Sequence, residues 1–125
     1  MSELLVTDAL VATCDDSRRL IDRGAVAIRD GRIVAVGPTD ELVRAHPDMP
    51  RLRAHGSMVC PGFVNAHAHA AMSVLRGTIE EWQGNAVYNY FVPISYATSD
   101  SERGVLALLA CVEAIRSGTT ALVDM

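Results

Sequence analysis

The residues in this chain best suited to chemistry are His67 and His69, two of its four histidines, which lie two apart in Pro61-Gly62-Phe63-Val64-Asn65-Ala66-His67-Ala68-His69. Side chains at i and i+2 of a strand point to the same side. If residues 58–65 form a buried strand, both imidazoles emerge together at its C-terminal end, where they could share one metal ion. Imidazole ligands suit a divalent ion, Zn²⁺ first with Fe²⁺ or Mn²⁺ as alternatives. The plainer reading is a pair of surface histidines in a loop. His46, beside Pro47 at a helix end, and His55, before Gly56, read as exposed loop residues rather than ligands. Asp124, near the end of a later strand, reads as structural or supporting.

Elements must position the pair, and the chain changes character near Ser57. Residues 3–13 and 25–30 are rich in Val, Leu, Ile and Ala, and Asp30-Gly31 is the favoured pair for a tight type I′ hairpin turn. Three strands are expected there. Thr39 or Asp40 is placed to cap a short helix through Glu41, Leu42 and Val43, which must end near Pro47. Residues 50–55 are basic and polar, and a strand carrying the histidines starts at Met58.

Strand and helix then alternate. Ser99 and Glu102 form a capping box, and Val105, Leu106, Leu108, Leu109, Val112 and Ile115 recur at helical spacing. Arg116 in the last turn and Gly118 just beyond it mark the C-terminus. Residues 119–125 read as a second strand, so the order is strand, helix, strand, a βαβ unit on a parallel sheet. The stretch 70–98 is too long for an ordinary βα loop of about 2–6 residues. It collects Met72, Val74, Leu75, Trp82, Val87, Tyr88, Tyr90 and Phe91, which either cover the end of the sheet or line a substrate pocket.

Composition narrows the partners. A net charge of −4 gives no electrostatic footprint for nucleic acid or an anionic membrane. Residues 1–8 hold Glu3 and Asp8 and no basic stretch, and the apolar run 104–112 is too short to span a bilayer. Cys14, Cys60 and Cys111 are odd in number and widely spaced, which reads as buried reduced thiols of a cytoplasmic protein.

Several of these motifs together resemble the amidohydrolase superfamily, in the branch of the cytosine, guanine and S-adenosylhomocysteine/methylthioadenosine deaminases and the triazine hydrolases. The resemblance rests on Asp30-Gly31-Arg32-Ile33-Val34-Ala35-Val36-Gly37, Pro61-Gly62-Phe63, Asn65-Ala66-His67-Ala68-His69, the run from Met72 to Gly77, Arg116-Ser117-Gly118-Thr119-Thr120 and Val123-Asp124-Met125. It covers nearly the whole chain, but only the N-terminal portion of such an enzyme. It implies an α/β fold, the start of a TIM (β/α)8 barrel over residues 58–125, preceded by part of a small β-sandwich domain over residues 1–57. It further implies metal-assisted hydrolysis, in which one divalent metal on His67 and His69 makes hydroxide available near neutral pH, with a small heterocyclic substrate, loss of ammonia, an amine or chloride, and compatibility with a homo-oligomer. Further ligands and the general acid are then expected beyond Met125. As an alternative, the 125 residues alone form a non-catalytic fragment that binds metal weakly at most.

Two departures from the family pattern bear on the substrate. Where members acting on adenosine-type nucleosides carry Pro, an aliphatic residue and a ribose-holding Glu, this chain has Pro93-Ile94-Ser95, and Glu80-Glu81-Trp82-Gln83-Gly84-Asn85-Ala86-Val87 replaces the preceding helix motif. Loss of that charged acceptor argues against a nucleoside. Asn65, where two-metal relatives have Asp, favours the one-metal branch.

Overall fold

The computed structural model describes residues 2–78, 81 and 84–125; Glu80, Trp82 and Gln83 lie outside them. The chain divides into two compact units, one ending at Pro61 and one running from Gly62 to Met125. The N-terminal unit contains β1 (Glu3–Ala12), β2 (Leu20–Arg29), β3 (Arg32–Pro38), α1 (Thr39–Ala45), β4 (Arg51–Arg53) and β5 (Met58–Val59). The sheet order is β3-β2-β1-β4, with β5 also on β1; β1, β2 and β3 are antiparallel, and β4 and β5 run parallel to β1.

The hairpin forms at Asp30 and Gly31, whose φ values of 50° and 74° suit a turn that needs positive φ at both central positions. Leu42 and Val43 of α1 cover one face of the sheet, packing with Leu5, Ala25, Ala27, Ala35 and Met49. A side chain at Gly37 would place its Cβ 3.1 Å from Leu42 Cδ1, a tight contact that Leu42 would have to relieve by shifting a few tenths of an ångström. Ala9, Val11 and Val26 form a second cluster with Ile21, Ile28, Val36, Ala54 and Val59.

Thr39 does something other than cap the helix. The N-cap is Pro38 and makes no side-chain cap bond. The Thr39 hydroxyl instead donates to Gly24 O at 3.0 Å and accepts from Asp8 N–H at 3.0 Å. Register shifts flank Ala9 in β1, and Asp8 has φ of 60°, so the bulge leaves backbone groups that only a side chain can satisfy. The basic stretch 50–55 likewise holds an unexpected strand, β4, whose pairing with Leu5, Val6 and Thr7 of β1 is long-range.

The C-terminal unit contains β6 (Phe63–Ala68), a 3-10 segment (Ala70–Leu75), a π-helical turn (Val87–Phe91), α2 (Val92–Ala97), α3 (Asp100–Arg116) and β7 (Thr119–Asp124), with β6 and β7 parallel. The single strand expected over 58–65 is therefore two strands in two sheets. Pro61 cannot donate a ladder hydrogen bond, and the chain breaks there. Gly62 then lies so near β7 that a Cβ would fall 2.2 Å from Thr120 Cγ2. Strand β6 is not buried: Phe63 and Val64 are 60% and 68% exposed, since β7 is its one partner strand among the described residues.

The capping box is present, with the Ser99 side chain accepting from Glu102 N–H and the Glu102 carboxylate accepting from Ser99 N–H at 2.8 Å. The Ser99 hydroxyl, which donates to the same carboxylate at 2.6 Å, and then the Ser99 N–H hold the Glu102 carboxyl below its ordinary pKa. Gly118 follows α3 with φ of 85°, a left-handed helix stop. The cysteines differ from expectation: Cys14, in the β1–β2 connection, is exposed, and Cys60 and Cys111 are half-buried, all three free. Among the described residues no helix is long and apolar enough to cross a membrane.

Candidate metal centre

Pairing of β6 with β7 sets Ala68 opposite Asp124 and so brings the two strand ends together around His67 and His69. Asn65 Oδ1 accepts from His67 N–H at 3.1 Å, tying the backbone of the first histidine to its own strand. His69 follows β6 with φ −126° and ψ 75°, outside both the extended and the helical regions. Its Nδ1 lies 3.2 Å from Met125 O, and the next amide, Ala70 N–H, donates to Asp124 Oδ1 at 2.8 Å.

The imidazoles converge. Nε2 of His67 is 3.2 Å from Nε2 of His69, with ring centroids 5.1 Å apart and planes crossed at 78°. Because the Met125 carbonyl can only accept, His69 Nδ1 carries the proton and Nε2 presents its lone pair toward His67. Two nitrogens bound to one tetrahedral Zn²⁺ at about 2.0–2.1 Å would stand about 3.3 Å apart, close to the spacing seen here. A ring N–H bonded to a backbone carbonyl is also the usual arrangement for a ligating histidine. The pair therefore fits a single divalent ion. It does not complete one: among the described residues no group of three or more His, Cys, Asp or Glu side chains could hold a metal. A catalytic zinc keeps three protein ligands.

His69 borders two depressions. A cavity of about 220 Å³ is lined by His69, Met72, Val87, Phe91, Val92, Ser95 and Asp124 among others, with the Phe91 ring centroid 5.7 Å from that of His69. A wider cleft of about 830 Å³ includes Asn65, His69, Phe91 and Arg76. Of the apolar residues in the long connection, Met72, Val87 and Phe91 thus border His69, Tyr88 is 71% exposed, and Trp82 lies outside the described residues. Ser95 Oγ donates to Val92 O at 2.7 Å, a bond within α2.

Arg76, just past the 3-10 segment, makes a two-pronged ion pair with Glu113 of α3 at 3.1 and 2.6 Å. That contact holds the Glu113 carboxyl below its ordinary pKa and raises the guanidinium. His46, half-buried at the C-cap of α1, and His55, exposed before Gly56, belong to the N-terminal unit. Sequence reasoning missed the Met125 carbonyl, which as a backbone group carries no residue-type signal.

An imidazolonepropionase-like composite domain of bacteria matches residues 24–48, and the amidohydrolase family matches residues 58–125. The chain belongs to the amidohydrolase family. It is 35% identical to the 5-methylthioadenosine/S-adenosylhomocysteine deaminase of Nitratidesulfovibrio vulgaris (strain DSM 19637 / Miyazaki F), the match covering 98% of this chain and 28% of that protein. It is 37% identical to the 5'-deoxyadenosine deaminase of Methanosarcina mazei, covering 100% and 28%. An adenosine deaminase from Xanthomonas campestris, solved with bound zinc, superposes with a TM-score of 0.75 at 28% identity, over 99% of this chain and 29% of that one. A triazine hydrolase variant gives 0.79 at 22% identity over 98% and 28%, a likeness of fold. This amidohydrolase-family chain spans 28% of the length of the curated relatives it matches.

Proposed function

We propose that His67 and His69 hold one divalent metal ion, zinc before iron or manganese, in a hydrolase that removes an exocyclic amine or a chloride from a nitrogen heterocycle. The observation that carries this reading is the 3.2 Å convergence of the two Nε2 atoms at the C-terminal end of β6. The zinc of the Xanthomonas campestris structure and the deaminase names of the relatives support it. When bound, such an ion supplies Lewis acidity that makes hydroxide available near neutral pH.

The chain's own residues do the remaining work described here. The Met125 carbonyl keeps the proton of His69 on Nδ1, so that Nε2 stays a donor atom toward the ion. Asn65 holds the backbone at His67. Met72, Val87, Phe91 and Val92 form an apolar wall beside His69, suited to the flat face of a ring and to excluding water from it. Ser95 on the same wall offers no charged acceptor, and its hydroxyl already donates to Val92 O, which favours a free heterocycle over a nucleoside.

The parallel β6–α3–β7 order supports reading residues 58–125 as the first βαβ unit of a TIM barrel, whose functional face is the C-terminal end of the strands. The sheet before it is read as part of a small β-sandwich, and the unpaired thiols favour a reducing, cytoplasmic setting. A third ligand and the proton-transfer groups are assigned to residues outside these 125. Ammonia or chloride release by the zinc-loaded full-length protein, on a panel of aminated and chlorinated pyrimidines, purines, pterins and triazines, tests the reading. No turnover on any of them, with metal bound, would overturn it.

A further inference from the structure

The end of β7 grips the segment around His69 at three points. Met125 N–H donates to Ala68 O at 3.0 Å, His69 Nδ1 meets Met125 O at 3.2 Å, and Ala70 N–H donates to Asp124 Oδ1 at 2.8 Å. The peptides on both sides of His69 are thereby tied to the same two residues. Two of the three bonds are made by backbone atoms of Met125. The third is made by a side chain, and it is the one that fixes the chain just after the ring.

That third bond has few substitutes. Ala70 opens the 3-10 segment, so its amide has no partner within the segment, and the residue is 6% exposed, so water is a poor replacement. A carboxylate accepting from a backbone amide makes a strong, charge-assisted bond. Without it, the peptide after His69 could rotate and carry Nε2 away from Nε2 of His67. His67 needs no such brace, because it lies within β6 and Asn65 accepts from its amide.

We propose that Asp124 is a positioning residue for the metal pair, holding His69 Nε2 in line with His67 by accepting from Ala70 N–H. It touches neither the substrate nor the ion in this role. The inference rests on the reading of His67 and His69 as metal ligands, and it adds a residue outside that pair.

The test is zinc affinity of the full-length protein, measured by competition with a chromophoric chelator, beside thermal unfolding of the metal-stripped form. Asp124→Ala weakens zinc binding by about ten- to a hundredfold, the usual cost of removing a partner that orients a ligand. Asp124→Asn, whose amide oxygen still accepts from Ala70 N–H, restores affinity to within about threefold of wild type. Glu102→Ala breaks the capping box of α3 in the same unit, away from both depressions beside His69, and leaves zinc affinity unchanged, which separates positioning from general loosening. Wild-type affinity in folded Asp124→Ala, or a loss in Asp124→Asn as large as in Asp124→Ala, overturns the proposal. Should Asp124→Ala fail to fold, Asp124→Glu carries the test by displacing the carboxylate by one methylene: a loss of about fivefold or more supports it, and unchanged affinity overturns it. His67→Ala distinguishes the two levels of inference. If that variant binds zinc as the wild type does, the metal pair itself is wrong; if it loses zinc while Asp124→Ala does not, only the role of Asp124 falls.

Discussion

Nε2 of His67 stands 3.2 Å from Nε2 of His69, with the ring planes crossed at 78°. Without a cation the contact is a hydrogen bond in which His67 supplies the proton, because His69 keeps its own on Nδ1 toward Met125 O. With a cation, both lone pairs are taken at the same point. In the full-length protein, His67→Ala or His69→Ala should therefore reduce bound metal to well below one equivalent and take hydrolysis to background. Elemental analysis of the purified variants measures the first effect and product release the second. Full occupancy with wild-type turnover in both variants would exclude the pair as ligands.

The wall beside His69 yields a prediction about substrate choice. Val87, Phe91 and Val92 are apolar, and Ser95 carries no charge with which to hold a ribose diol. Free aminopurines, pterins, triazines or cytosine should be turned over better than methylthioadenosine or S-adenosylhomocysteine, by about tenfold or more in kcat/KM. The named relatives act on nucleosides, so this is the point at which the chain is expected to part from them. Preferred turnover of the nucleosides would show that one position had been given too much weight.

What the sequence revealed and what it hid separate along one physical line, the range of the interaction. The Asp30-Gly31 turn, the Ser99–Glu102 capping box, the stop at Gly118 and the i, i+2 spacing of His67 and His69 are local, and each was legible because the residue type itself sets the geometry. The split between β5 and β6 was hidden because either half could serve one continuous strand; which sheet receives Met58 and Val59 is decided by Leu10 and Val11 of β1. Thr39 has the profile of a helix cap, yet its hydroxyl is taken by a bulge that is remote in sequence. The partners of His69 were hidden for the same reason, since Asp124 and Met125 reach it only through β6–β7 pairing.

Gly62 sets how closely β6 can begin against β7. A Cβ there would lie 2.2 Å from Thr120 Cγ2, 2.4 Å from Thr120 Oγ1 and 2.8 Å from Thr120 Cβ, all inside contact distance. Gly62→Ala should destabilise the protein by about 1–3 kcal/mol, the usual scale of overpacking. Thr120→Ala in the same chain removes two of the three clashing atoms and should recover part of the loss. Denaturant midpoints of the two single variants and the double variant check this. Additive losses would mean that the two residues do not meet.

Arg76 and Glu113 give the fold a pH-dependent contribution whose sign is fixed. The guanidinium donates to the carboxylate through two nitrogens and holds the Glu113 pKa below its ordinary value. A lowered carboxyl pKa stabilises the folded state fully above the unfolded value of about 4.3 and ceases to do so as the pH falls through the lower folded value. Glu113→Gln should therefore unfold at lower denaturant than wild type at about pH 6, and the gap should close as the pH falls through the lowered folded value, below which both side chains are neutral. Because the pair is exposed, about 0.5 M salt should shrink the pH 6 gap. Equal midpoints for wild type and variant at pH 6 and low salt would mean that the pair stabilises neither the 3-10 segment nor α3.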